Sequence, residues 1–357
     1  EIIEASPDRV EPPCPYFGRC GGCDFQQMNY QAQLDAKVEI VRDCLRRLAR
    51  IENPLDIQIV PAHDPWHYRS RAQWQYDAVR QRLGYFESGS RNVCDVAVCA
   101  VLAPPLQDTL ESLRSRMQEG SLSESARDFR AVVGDEGVST SPGAGGPIIR
   151  EGADSSSQRK EVHDITRIIA GESYHLNAES FFQATEGLLP QLIDTAIADA
   201  NGETALDLYC GVGLFTLPLA RRFKRVIGIE SDAAAVGFAR ANLSRAGLAN
   251  AEIDNQNVGR WLEDLRRNTL SRPSEGLGSA IEFVLLDPPR TGAESRVITE
   301  ILDLRPRRIS YVSCDPATLA RDLRKLITGG YAIQTVAAFD MFPQTHHIET
   351  VVRLAVA

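Results

Sequence analysis

From about residue 203 to the end, short apolar runs alternate with stretches whose apolar residues recur every three or four positions. The runs "TALDLYC", "RVIGIE", "AEIDNQN", "EFVLLDPP" and "RISYVSC" read as strands, and "FTLPLARRF", "AAAVGFARANLSRAG" and "ATLARDLRKLI" as intervening helices. Such alternation predicts a mostly parallel, doubly wound α/β sheet. The last two runs, "AIQTVAAFD" and "IETVVRLAV", have no helix between them. They are expected to pair antiparallel at the sheet edge, joined through "MFPQTHH".

The first half has a different texture. Leu34, Val38, Val41, Leu45 and Leu48 follow one another at spacings of four and three, which predicts a helix over residues 31–50 with one apolar face. From Tyr68 to Cys99 the chain is strand-like and rich in turn residues, as in a small antiparallel unit. Residues 134–160 are loaded with Gly, Ser and Pro and read as a long loop or hairpin. The expected units are 1–60, a cysteine-rich region and helix; 61–175, a small α+β domain; and 176–357, the doubly wound domain.

Composition adds bounds. With 357 residues, 43% hydrophobic and 24% charged, the chain has room for two or three domains, and no apolar run approaches a membrane span. It begins "EIIEASPDRVEPP", without an initiator Met or an apolar leader, so a cytoplasmic protein with a piece upstream is expected. A formal charge of −9 argues against a protein that coats nucleic acid non-specifically. "CLRRLAR", "YRSRAQ", "RRFKR" and "RPRR" remain candidate phosphate contacts, against the plainer reading of solvated helix faces.

Candidate chemistry sits at the strand ends. "LDLYCGVGLF" puts Gly211 and Gly213 at the first strand-to-helix turn, without the third glycine of a nicotinamide fingerprint. Asp207 before that turn and Glu230 ending the next strand are the arrangement of an S-adenosylmethionine site, where Glu230 can bind both ribose hydroxyls. The rival reading of Glu230 is a helix N-terminal charge. Asn257 either contacts adenine or caps a helix. Asp287 closes a strand before Pro288 and Pro289, which hold the chain extended and aim the carboxylate into the cleft. Cys314, between a strand and Pro316, is either core packing or a nucleophile.

Eight cysteines are present, and Cys14, Cys20 and Cys23 form a C-x5-C-x2-C run. Without a secretion signal, that density favours metal ligation or catalysis over disulfides. Three thiolates need a fourth ligand, and zinc and a [4Fe–4S] cluster are both compatible with four cysteines. Cys94 and Cys99 are the candidates for the fourth.

Four motifs, "DLYCGVGLFTLPLA", "LLDPPRTGA", "VSCDPATLARDL" and "DMFPQTHHIETVV", occur in the order and spacing of the RNA 5-methyluridine methyltransferases, which this chain resembles over nearly its whole length. The resemblance implies a class I, Rossmann-like S-adenosylmethionine-dependent methyltransferase domain, preceded by an iron–sulfur region and a small central domain. It also implies Cys314 as nucleophile and Glu349 as general base. Gln183, Tyr209, Gly211, Gly213, Glu230, Asn257 and Asp287 would surround the methyl donor. The resemblance favours iron–sulfur over zinc and Cys99 over Cys94, giving Cys14, Cys20, Cys23 and Cys99 as ligands of a centre that clamps the 31–50 helix to the small β unit. Arg69 and Arg71 look like substrate-facing arginines, with Trp74, Tyr85 and Phe86 as aromatic surface for an unpaired loop. Leu214 departs from the family, which often has Asn or Thr there. Many members carry a small β-barrel upstream, and the first residues here look like the tail that follows it.

The chemistry agrees with these roles. Carbon 5 of uracil is too weak a nucleophile to take a methyl group unaided, so a thiolate adding at carbon 6 must first turn the ring into an enolate. A carboxylate then removes the carbon 5 proton, and an unpaired Glu349 in an otherwise apolar strand is costly unless it has such a task. The target must leave its stack, so an unpaired or flipped uridine is expected, in 23S ribosomal RNA before transfer RNA. The protein is expected to act as a monomer. A nucleobase amino-group methyltransferase would need neither Cys314 nor Glu349, and a non-catalytic iron–sulfur RNA-binding factor would not need nucleophile, base and cofactor carboxylate together.

Overall fold

Helix α1 (Tyr30–Arg47) starts where the Asn29 side chain accepts a hydrogen bond from the Ala32 amide at 2.9 Å, and Arg46 and Arg47 lie at its negative end. The computed structural model describes residues 2–52, 56–142, 163–271 and 281–357. The helix face expected to be apolar is mixed: its buried residues are Gln33, Leu34, Lys37, Val41 and Leu45, while Leu48 lies past the helix and is exposed. Strand β1 (Ile57–Val60) follows.

The small antiparallel sheet contains β2 (Arg71–Asp77), β3 (Arg82–Phe86), β4 (Val93–Asp95), β5 (Asp128–Val133) and β6 (Val138–Ser141), in the order β4-β3-β2-β5-β6. Helix α2 (Pro104–Gln118) opens on two prolines and buries Leu106, Leu110, Leu113 and Met117 at helical spacing. These pack against Trp74, Leu83, Phe129 and Ala131 of the sheet. Each fully buried leucine there contributes roughly 1.5–3 kcal/mol relative to exposure. The expected 134–160 loop contains β6, and its part from residue 143 onward lies outside the described residues. A hairpin, β7 (Ile165–Ile169) and β8 (Glu172–Leu176), comes next.

The C-terminal half runs α3 (Leu189–Ile197), β9 (Gly202–Leu208), α4 (Thr216–Ala220), β10 (Phe223–Glu230), α5 (Ala233–Arg245), β11 (Ala251–Asn255) and α6 (Val258–Ser271). It continues with β12 (Ile281–Leu286), α7 (Ser295–Leu304), β13 (Arg308–Ser313), α8 (Pro316–Thr328), β14 (Tyr331–Phe339) and β15 (Glu349–Val356). Side chains alternate between two cores: Leu206, Leu208, Ile227, Ile229, Val284 and Leu286 on one face, and Ala205, Val226, Phe283 and Leu285 on the other. Burial on both faces is the mark of a helix-covered parallel sheet.

Strand order is β1-β14-β15-β13-β12-β9-β10-β11, with β15 antiparallel to both neighbours. The expected β14–β15 pairing is present, but not at the edge. β15 lies inside the sheet, and β1 pairs in parallel with β14 as the outermost strand. The α1 helix accordingly packs on β1 and α8, against the C-terminal sheet. The four-residue "IQIV" is too short for its pattern to reveal a sheet partner hundreds of residues away.

Candidate active site

In an open parallel sheet, ligands bind beyond the carboxyl ends of the strands where helices diverge, and β9 lies between β10 and β12 at such a place. After β9 the backbone adopts left-handed values at Tyr209 (φ 66°), Gly211 (φ 55°) and Gly213 (φ 95°). A Cβ on Gly213 would approach Leu217 Cδ1 to 3.0 Å. Glu230 at the end of β10 supports this turn: its Oε2 accepts from the Gly211 amide at 3.1 Å, and its Oε1 from the Ser231 and Asp232 amides at 2.7 and 2.8 Å. The cap of α5 is Asp232, whose Oδ1 accepts from the Ala234 and Ala235 amides.

Asp207, fully buried beneath the turn, accepts from Thr216 Oγ1 through Oδ2, while its Oδ1 has no partner among the described residues. Burial pushes its pKa up to about 7, with the charges of Asp287 and Glu230 adding to the shift. Gln183 is buried in a segment pinned on two sides: Ser70 donates to the Ala184 carbonyl, and Thr185 Oγ1 to that of Met341. Tyr209 is half-buried, and burial raises its hydroxyl to about 12. Asn257 takes the cap that is one of its two readings. Its Oδ1 accepts from Arg260 N and Arg296 Nη2, and its Nδ2 donates to Glu294 Oε1, so the amide serves as the cap of α6.

Cys314 follows β13 and precedes α8, whose N-cap Asp315 accepts from the Thr318 amide at 2.8 Å. In the β13–β15 ladder Ser313 lies opposite Thr350, so the next residues along, Cys314 and Glu349, share the strand-end edge. Glu349 is 1% exposed and its Oε1 has no hydrogen-bond partner among the described residues. Burial holds its carboxyl well above the usual range, and Asp287 adds to this while Arg290 opposes it. Cys314 is pushed up to about 12 by burial and then by Glu349, again opposed by Arg290. Asp287 rises to about 7 through burial. A thiol, two carboxyls and one exposed guanidinium thus form one electrostatic unit.

The four cysteines Cys14, Cys20, Cys23 and Cys99 line one cavity, together with Gln26, Arg69 and Tyr85. Cys94 does not line it and is fully buried in the core of the small sheet. Among the described residues no three His, Cys, Asp or Glu side chains converge to hold a single ion. Arg69 Nε, Tyr85 Oη and Gln26 Oε1 are enclosed without hydrogen-bond partners among the described residues. Arg69 therefore borders the cysteine cavity. Arg71 donates to the carbonyls of Ser180 and Ala178 at 2.6 and 3.2 Å, tying β2 to the segment that carries Gln183. Of the basic runs, Arg46 and Arg47 pair with Asp43, and Arg221, Arg225 and Arg308 with Glu172, Glu252 and Asp199. Two further residues, Gln33 and Lys37, reach the loop before Glu349; an apolar-periodicity reading passes over them because they flank the stripe.

Residues 158–356 match the family model for tRNA (uracil-5-)-methyltransferase. The chain is 34% identical to the 23S rRNA (uracil(1939)-C(5))-methyltransferase RlmD of Klebsiella pneumoniae, an alignment that covers 97% of this chain and 82% of that protein. It is 32% identical to an RNA methyltransferase of Halalkalibacterium halodurans, over 98% of this chain and 84% of the relative. The crystal structure of Pyrococcus abyssi tRNA (uracil-54, C5)-methyltransferase in complex with S-adenosyl-L-homocysteine superimposes with a TM-score of 0.74 at 25% identity, over 99% of this chain and 88% of the other. The chain belongs to the tRNA (uracil-5-)-methyltransferase family and is an S-adenosylmethionine-dependent RNA uracil-5-methyltransferase.

Proposed function

We propose that the enzyme methylates carbon 5 of an unpaired uridine in 23S ribosomal RNA through a covalent Cys314 adduct, with Glu349 as the base. The observation that carries this reading is the buried Glu349 carboxyl, with one oxygen unpartnered, at the same strand-end edge as Cys314. A buried acid without a partner is costly and needs a compensating role. The ribosomal target rests on greater similarity to the RlmD protein than to the transfer RNA enzyme.

When bound, S-adenosylmethionine supplies an electrophilic methyl group and a positive charge that favours the ionised forms of nearby acids. Tyr209, Gly211, Gly213, Glu230, Asp287 and Gln183 would hold it. They suit it: the glycine turn leaves its backbone accessible, and Asp207 keeps an unpartnered oxygen below that turn. Cys314 Sγ bonds to uracil carbon 6, and the electrons of the carbon 5–carbon 6 double bond move toward the carbon 4 oxygen. Arg290 favours the thiolate that this step needs. Once carbon 5 carries its methyl group, the Glu349 carboxylate takes the carbon 5 proton. The double bond re-forms, and the carbon–sulfur bond breaks to return the thiolate.

Cys14, Cys20, Cys23 and Cys99 would hold a [4Fe–4S] cluster. Sulfurs around a tetrahedral zinc lie about 2.3 Å from one ion, whereas thiols that border a cavity without converging suit a bulkier group. The enclosed Arg69 Nε–H and Tyr85 O–H would face the electron-rich cluster as donors. In the mechanism above the centre is structural.

The test uses RNA in which the target uridine is replaced by 5-fluorouridine, whose carbon 5 has no removable proton. With the donor present, protein and RNA are expected to remain joined on a denaturing gel, and Cys314→Ala is expected to form no adduct and no methylated product. Unchanged methylation by Cys314→Ala would refute the covalent route.

A further inference from the structure

We propose that Gln33 and Lys37, the two polar residues on the buried face of α1, are positioning residues that fix the shape of the 340–348 loop and so aim the Glu349 carboxylate. The inference rests on the base role given to Glu349 above.

The loop is held at its backbone, not merely packed against. Gln33, 1% exposed, uses its amide on both sides: Oε1 accepts from the Gln344 amide at 3.0 Å, and Nε2 donates to Gln344 Oε1 and to the Met28 carbonyl, each at 3.0 Å. Gln344 is left-handed (φ 67°), a conformation that a side chain tolerates only when its surroundings impose it. One helical turn on, Lys37 is fully buried and donates to Asp340 Oδ1 at 2.5 Å and to the Phe342 carbonyl at 3.0 Å. Tyr30 Oη donates to the other Asp340 oxygen at 2.8 Å. The Gln344 carbonyl accepts from the amides of Asp24 and Phe25, which follow Cys23 directly.

A buried lysine–aspartate pair is poor value as stabilisation, since desolvation offsets most of its attraction and apolar residues of similar size serve as well. What it and Gln33 add is geometric. Apolar side chains would hold the loop against α1 without choosing its register, whereas hydrogen bonds to named backbone atoms choose one. Register matters because Glu349 is the first residue of β15, and a slip of one residue would turn its side chain to the opposite face of the sheet. Chemistry upstream of the base, including attack by Cys314, depends on β13 and α8, which this loop does not form.

The experiment uses the full chain, reconstituted with its cluster, and target RNA with ordinary uridine. Two rates are read separately: single-turnover transfer of labelled methyl into RNA, and release of tritium from carbon 5 together with decay of the gel-stable protein–RNA adduct. Gln33→Ala is expected to leave methyl transfer within about threefold of wild type but to slow proton release and adduct decay by about 10- to 100-fold, as a misplaced catalytic group does. Lys37→Met combined with Asp340→Asn, which leaves no unpaired charge, is expected to behave likewise and carries the test if Gln33→Ala misfolds by circular dichroism. Glu349→Gln is the control. If it fails to accumulate adduct, the base assignment is wrong. If it accumulates adduct while both sets of α1 substitutions resolve theirs at the wild-type rate, or lose both steps equally, the positioning role is refuted.

Discussion

Asp207→Asn should stabilise the donor-free protein in alkaline solution and do so less in acid. Asp207 is fully buried, its pKa is raised from 3.8 to about 7, and only one of its oxygens is hydrogen-bonded. Because the folded value is the higher one, the folded state holds the proton more tightly. Its advantage is intact below pH 3.8, falls as pH rises, and is fully lost above about pH 7. A gap of about three units corresponds to about 4 kcal/mol as a ceiling, at 1.36 kcal/mol per unit. Between pH 5 and pH 8 the cost should grow by about 2–3 kcal/mol. Asparagine cannot ionise, so the variant escapes this growth. Any fixed penalty for its unpartnered amide is the same at both pH values and cancels in the difference. Urea unfolding of wild type and variant at pH 5 and pH 8 measures it. The stability gain of the variant should be larger at pH 8 by that amount. An equal gain or loss at the two pH values would refute the account of Asp207 as a buried acid that ionises at a cost.

Two further outcomes follow from the same site. Arg290 opposes the upward shifts of Cys314 and Glu349, so Arg290→Gln should move the alkaline rise of single-turnover adduct formation to higher pH; an unmoved profile would show that this guanidinium does not reach the thiol. Cys99→Ser should lose iron and acid-labile sulfide from the purified protein while Cys94→Ser retains them, as measured by metal analysis and visible absorbance; the reverse result would exchange the two cysteines in the ligand set.

The alternating half of the fold is legible because its inner strands are buried on both faces and its helices on one, so the apolar runs mark β9, β10, β12 and β13 directly. Cys314, Glu230 and Asp287 are legible for a related reason: each is a polar residue where an apolar run stops. Residues whose meaning depends on distant partners escape. β1 is four residues long and finds β14 only in three dimensions. Arg69 reads as a surface arginine, since nothing local says that its Nε faces four cysteines brought from two separate segments. Asn257 could cap or bind until Glu294 and Arg296 are seen to claim its amide. Gln33 and Lys37 sit beside an apolar stripe that explains the helix without them.

The antiparallel β15 is the feature that would make this sheet suit the proposed reaction. In a parallel sheet every strand presents its C-terminal end to the ligand edge, so Asp207, Glu230, Asp287 and Cys314 all reach the site as the last residue of a strand or the residues around its end. A base drawn from another parallel strand would arrive on the same kind of turn into a helix, where N-terminal amides compete for its carboxylate. Reversing one strand between β13 and β14 brings a first residue to that edge instead. Glu349 then has a strand behind it and an irregular loop in front. No helix amide claims its oxygen, and one oxygen stays unpartnered. The cost of this freedom is that the loop must be held from outside the sheet. The contacts of α1 and the cysteine-bearing segment with residues 340–346 are where that restraint is found.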